Sequence, residues 1–428
     1  MKTTNKLNIK PLVFFSLLNS LCSFYLKAQP PTVEWEMLYG STFHDHPDAI
    51  AETTDGGYLL SLGTRRADGD IPYIYGETDI WLAKLGKEGA IEWSRTMGGS
   101  DLDGLSHIVS MKDGGFLLIC HTKSDDFDVP RRIGGWDVWL VKLDAEGNLA
   151  WSKVYGGTGD DGVQAFEALD EGGIRMIVTT SISDVDFGSG VDACRIWRVE
   201  LDSDGDIVSK ESICMPPLFK GDSYTNVIFT SDGGLLGVAA YAEPGNGSDV
   251  CIVKYDSLLS VEWSKCFGGS AIELTYDAIE IPGRGFAIAS TSYSKDGDVY
   301  LNRGSKDIWL LQIDYFGMLI NAKTYGGKEM DDVRNIVLSD GGQSAILFGH
   351  TFSKDGDIGH NQAIASNLWL VKVNISSGDI EWERCYGGTA GEFSRKIYET
   401  RDGGYILLGE SMSPPGGDIK SENKNLFL

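Results

Sequence analysis

The chain has 428 residues, with 62 acidic side chains against 37 basic ones, and its formal charge of −25 disfavours nucleic acid and anionic membranes as partners. Apolar residues at 42% and aromatic residues at 11% are too many for a disordered acidic chain, so a packed core is expected.

At the start of the chain, Lys2, Lys6 and Lys10 precede an apolar run from Leu12 to Leu26, and Ala28 offers a cleavage point before Gln29. Residues 1–28 therefore read as a secretory signal peptide. The rival, a membrane anchor, fits less well because Ser16, Asn19, Ser20 and Ser23 interrupt a run already short for a span. Asn19, Ser20 and Leu21 do not make a lipobox ahead of Cys22. Cleavage would remove four lysines and no acid, taking the charge from −25 to −29 for the mature chain 29–428. The expected location is extracellular or periplasmic, with no membrane span.

The stretch DVWLVKLDAEGNLAWSKVYGG, residues 137–157, shows how the rest is built. Two runs rich in β-branched and aromatic residues, Val138–Leu143 and Leu149–Tyr155, flank turn residues Asp144, Glu146, Gly147 and Asn148, which predicts a hairpin. Trp139 and Trp151 share parity about the turn, so an unbroken register places both on one face as diagonal neighbours. The second Trp position recurs at Trp35, Trp93, Trp151, Ser209, Trp263, Asn321 and Trp382, at steps of 58, 58, 58, 54, 58 and 61. A second hairpin per period is marked by turns at Asp55, Asp113, Glu171, Asp232, Gly283, Asp340 and Asp402.

Each unit thus supplies four strands, a and b about the Gly-rich turn, then c and d about the Trp turn. Seven units of four antiparallel strands predict an all-β, seven-bladed propeller over residues 29–428, and neither a short solenoid rung nor a helix is visible. The mature chain opens with a lone d strand, Val33–Tyr39, and ends with a lone c strand, Asn425–Leu428. Joining the two is expected to close the last blade.

The strings YGG, DGGY, SKDGD and DIWLVKLD resemble those of secreted propeller repeats of Bacteroidetes-type bacteria, and the likeness covers nearly the whole mature chain. The c–d hairpin is also similar to the Trp-docking motif of quinoprotein propellers, through Asp144, Ala145, Gly147 and Trp151. The second likeness implies packing and no quinone. Neither transfers a catalytic residue.

Six cysteines follow the leader, with no metal-ligand spacing. Counting outward from the turn near Asp204 sets Cys194 opposite Cys214 as a candidate bridge, whereas Cys251 and Cys266 count one residue out of register. Buried free thiols are the alternative.

Candidate sites lie in the d-to-a and b-to-c loops, which share one face. Carboxylates open most a strands, at Asp45, Asp103, Asp161, Glu273, Asp331 and Glu392, the loop before Glu273 counting as one residue longer; Asp222 comes one place early in the remaining unit. The b-to-c loops add pairs such as Asp68 with Asp70, Asp296 with Asp298 and Asp355 with Asp357. Closely spaced Asp around a Gly bend suits Ca²⁺, although no loop matches an EF-hand, and turn capping by the same carboxylates is the competing reading.

Further on lies a polar column, Asp48, Ser106, Gln164, Asn226, Asp277, Arg334 and Arg395, followed two places later by an apolar one, Ile50, Ile108, Phe166, Ile228, Ile279, Ile336 and Ile397. The polar column is expected to ring the mouth of the central channel, where Arg334 and Arg395 could take a carboxylate or phosphate. A solvated rim, with its Arg side chains paired to nearby carboxylates, is the plainer alternative.

No nucleophile elbow, zinc motif or phosphate loop is present. The leading expectation is an exported, non-enzymatic binding or scaffold protein acting as a monomer. Its acidic loop face or channel mouth would meet a cation, glycan or protein partner, with Ca²⁺ as the one cofactor considered. The alternative is a carbohydrate-active hydrolase or lyase using carboxylates at the mouth.

Overall fold

The computed structural model describes residues 6–8, 30–170, 172–182, 184–187, 196–213, 226–242, 247–361 and 363–419. Six four-stranded antiparallel sheets follow one another along the chain. Blade 1 comprises His46–Glu52, Tyr58–Thr64, Asp79–Leu85 and Ile91–Met97. Blade 2 comprises Asp103–Ser110, Phe116–Thr122, Asp137–Leu143 and Leu149–Tyr155. Blade 3 runs from Asp161–Ala168 to Ile207–Ile213, blade 4 from Asn226–Phe229 to Val261–Phe267, blade 5 from Glu273–Ile281 to Leu319–Tyr325, and blade 6 from Asp331–Ser339 to Ile380–Tyr386. In each, a, b, c and d pair in sequence order, as the alternation of strand runs and Gly-rich turns requires.

The expectation of seven blades is corrected to six four-stranded blades among the described residues. The last pair of strands, Glu392–Glu399 and Tyr405–Ser411, stays a two-stranded sheet lodged between blade 6 and blade 1. The expected closing strand Asn425–Leu428 lies outside the described residues. The expected d strand Val33–Tyr39 is a strand only over Thr32–Glu34, and it pairs with Lys6–Asn8, inside the segment read as a leader. Trp35 and Tyr39 nevertheless pack with Tyr58, Leu60, Ile406 and Leu408, an apolar cluster that ties the two-stranded sheet to blade 1.

The core lies between blades. Trp81, Trp139, Trp309 and Trp369 on the c strands are fully buried, each contributing a large aromatic area to one interblade cluster. Every c–d hairpin carries a register shift just after its turn, in blade 2 between Leu149 and Trp151. The extra residue reverses the parity of everything beyond it. Trp151 consequently faces Lys142, and Trp139 and Trp151 sit in different clusters on opposite sides of the sheet, not on one face.

The same shift places Cys251 directly opposite Cys266, and a disulfide joins them with Cα atoms 4.0 Å apart. That corrects the count that had put them out of register. The expected partners Cys194 and Cys214 both lie outside the described residues.

The d-strand residues Trp93, Trp151 and Trp263 reach the c–d turn of the next blade. At Gly147, φ is +82° and an added Cβ would lie 2.5 Å from the Trp93 ring, so both the backbone and the close approach require glycine. Trp151 and Trp263 meet Gly205 and Gly317 in the same way. Their indole N–H groups donate to Ser203 O at 3.2 Å and Tyr315 O at 2.9 Å. Among the described residues no helix is long and apolar enough to cross a membrane.

Candidate functional site: the channel mouth

The a strands stand side by side around the axis, and a bulge interrupts five of the six in the blades as well as Glu392–Glu399. The bulged residue has no cross-strand partner. In blades 1, 2, 3 and 6 and in the two-stranded sheet this residue is Asp48, Ser106, Gln164, Arg334 and Arg395, the polar column anticipated from spacing.

Blade 5 is different. Glu273 follows Gly269 by the ordinary four residues, so the bulge falls on Tyr276, and Asp277 is the paired residue that follows it. The apolar position of that blade is correspondingly Ala278, which is buried. Asn226 belongs to the same paired position as Asp277. Both lie one step deeper than the bulges, together with His107, Asn335 and Lys396.

These deeper residues form a polar floor that the spacing argument missed. Asn226 Nδ2 donates to Asp277 Oδ1 at 3.0 Å, and Asn335 Nδ2 and the Ile336 N–H reach Asp277 Oδ2 at 3.3 and 3.1 Å. Lys396 Nζ donates to Ser106 O at 3.0 Å. Burial raises the Asp277 carboxyl to about 6 despite those donors, and burial together with Lys396 lowers His107 to about 3. Burial likewise lowers Lys396, which Asp48 and Asp277 oppose. Asp48 Oδ2, His107 Nδ1, Asn226 Oδ1 and Asn335 Oδ1 are buried with no hydrogen-bond partner among the described residues. The readable signal was a second polar residue, His107, Asn335 and Lys396, directly after Ser106, Arg334 and Arg395, where strict alternation calls for the opposite face.

Above the floor opens a pocket of about 760 Å³. Asp48, Ser106, Arg334 and Arg395 line it, with Arg65, Lys396, four His side chains, Phe43 and Trp136. Gln164, Asn226 and Asp277 do not. Arg395 is tied to Glu410, which also meets His44 Nε2 at 3.3 Å. Arg334 lies 4.8 Å over the Tyr276 ring and has no carboxylate partner among the described residues.

The acidic column behaves differently. Asp103 lines the pocket and Asp161 an adjoining depression of about 400 Å³, whereas Glu273 and Asp331 line neither. All four are buried and each accepts from its own d-to-a turn. Asp103 accepts from Gly99 N at 2.6 Å, Ser124 Oγ at 2.9 Å and Thr122 Oγ1; Asp331 repeats this with Gly327 N at 2.7 Å, Ser353 Oγ at 2.9 Å and Thr351 Oγ1. Asp161 takes Gly157 N at 2.7 Å, and Glu273 takes Gly269 N at 3.0 Å and Ser292 Oγ at 2.7 Å.

The paired loop carboxylates are spread over blades 1, 5 and 6, and each also clasps a turn. Asp68 accepts from Thr42 N at 2.6 Å and Asp70 from Gly40 N at 3.1 Å. Asp296 and Asp298 accept from Ser270 N and Gly268 N at 2.8 and 3.2 Å, and Asp355 and Asp357 from Lys328 N and Gly326 N at 2.9 and 3.1 Å. Among the described residues no three His, Cys, Asp or Glu side chains gather as a metal cage.

Sheet order, interblade core and channel mouth define the class: an all-β propeller. Among solved structures the chain is similar to a Bacteroides caccae protein of unknown function, at 11% identity and a TM-score of 0.39 over 71% of this chain and 89% of that one. It is also similar to a Bacteroides uniformis protein described as a candidate 6-phosphogluconolactonase, at 12% identity and a TM-score of 0.46 over 94% and 92%. A third likeness is to the Pan2 WD40 domain of Neurospora crassa, at 10% identity and a TM-score of 0.45 over 85% of each chain. No family model and no curated protein matches.

Proposed function

We propose that the protein is an exported, non-enzymatic binding propeller whose ligand enters the channel mouth. The observation that carries this reading is the coincidence of the pocket with the bulged positions. Asp48, Ser106, Arg334 and Arg395 differ in charge and size while the frame beneath them repeats. Propellers take ligands at such places because several blades converge there on one concave surface. The leader pattern of residues 1–28 supports export.

Filling the mouth tests the reading. Ser106→Trp adds bulk at a bulge without entering an interblade cluster, so the fold should survive. A glycan and protein array probed with residues 29–428 should show binding that Ser106→Trp removes and an outer-strand change, Lys265→Trp, leaves intact. Binding that persists through Ser106→Trp would place the ligand elsewhere.

A further inference from the structure

Resting on that reading, we infer that the mouth pocket receives a small organic anion, its carboxylate or phosphate group held by Arg334. The local charge is opposite to that of the whole molecule. In a chain of net charge −25, the pocket lining carries Arg65, Arg334, Arg395 and Lys396 against the carboxylates of Asp48 and Asp103.

These carboxylates do not answer the cations one for one. Asp103 is buried and spent on three donors, Gly99 N of its own turn with Thr122 Oγ1 and Ser124 Oγ at the end of the neighbouring strand. Asp48 is approached by His46 Nδ1 at 3.3 Å. Arg395 is matched by Glu410, and Lys396 is held by a backbone carbonyl between Asp48 and Asp277. Arg334 and Arg65 are left without a carboxylate among the described residues; Arg65 Nε donates only to Thr78 Oγ1, at 3.0 Å.

Arg334 is also placed to take an oxyanion. The Arg334 guanidinium carbon lies 4.8 Å from the centre of the Tyr276 ring, a cation–π contact that holds the side chain while its N–H edge has no carboxylate among the described residues. Such an edge makes paired, charge-assisted hydrogen bonds to a carboxylate or phosphate. Beyond it the lining turns mixed. Phe43 and Trp136 offer apolar faces, the Asp48 bulge supplies an unpartnered Oδ2 and the floor an unpartnered His107 Nδ1. An anionic head on a hydroxylated body of one or two rings matches that sequence of surfaces and a volume of about 760 Å³.

The test uses three probes on residues 29–428 by calorimetry: galacturonate, inorganic phosphate and neutral galactose, each to about 10 mM. Galacturonate should bind, and phosphate should compete with it if the head group alone is recognised. Arg334→Gln should weaken galacturonate by about tenfold or more, the size of one charge-assisted contact. Arg334→Lys should retain part of the affinity, and Arg384→Gln, outside the mouth, all of it. Thermal melts of the variants exclude misfolding as the cause. Galacturonate binding unchanged in Arg334→Gln would overturn the assignment. Galactose binding equally well to wild type and Arg334→Gln would keep the mouth as a site and discard the anion. No binding of any probe would count against both.

Discussion

The joints between blades and the mouth of the channel are built from the same strands yet follow opposite rules. At the joints one solution repeats: Asp103 and Asp331 accept from equivalent Gly, Ser and Thr donors, and Trp93, Trp151 and Trp263 each meet a glycine of the following blade. At the mouth the bulge recurs in five blades and the two-stranded sheet while the side chains on it vary, from Asp48 through Tyr276 to Arg395. Repetition marks what the ring needs to stand. Departure from repetition marks what it is free to use.

The sharpest way to break this contrast is at the buried c-strand tryptophans. Trp139→Ala should destabilise the ring by about 3–5 kcal/mol, since a fully buried indole is lost and its cavity remains. Guanidinium denaturation would measure it, and a loss below about 1 kcal/mol would show that the joints do not carry the fold.

Blade 4 sharpens the same point, because Cys251 occupies the position of Trp139 and is cross-linked to Cys266. If the disulfide replaces the missing aromatic as a staple, the double change Cys251→Ser with Cys266→Ser should cost about 2–3 kcal/mol, for a loop of this length. A melt unchanged by reductant would contradict that.

The smallest expected effect is with pH. Burial raises Asp307 to about 7 and Asp79, Asp161 and Asp331 to about 6, and neighbouring joint carboxylates add to the rise. Their folded pKa values exceed the unfolded ones. The stability they contribute is therefore complete below about pH 4 and is lost as pH rises through 6 to 7. His107 and His350, depressed to about 3 and 4 mainly by burial, act the other way as pH falls below about 6.5. Comparing wild type with Asp307→Asn isolates the carboxyl part. The difference in melting temperature between pH 5 and pH 8 should change in the variant, with wild type losing more stability toward pH 8. Identical pH profiles would remove Asp307 from the account.

Much of the frame was legible because strand runs and Gly-rich turns recur at near-constant spacing, and four-strand units followed from them. The blade count was not. It depended on pairing Val33–Tyr39 with Asn425–Leu428, and only Thr32–Glu34 of the first segment forms a strand, with a different partner. Register failed wherever a residue was inserted without a mark in the sequence. The shift after each c–d turn separated Trp139 from Trp151 and joined Cys251 to Cys266. At the mouth the spacing found the bulged residues of most blades but slipped by one at Tyr276. It also passed over Lys396 and His107, since strict alternation hides the residue that follows a bulge.

The bulge itself carries a consequence for how such a ring can change. An ordinary strand residue is bound to a neighbour across the ladder, and replacing it disturbs a pair. A bulged residue has no partner across the ladder, so Ser106 or Arg334 can be exchanged without breaking a ladder pair. The mouth is then a set of replaceable teeth on a fixed wheel, open to retooling one blade at a time, by selection or by design.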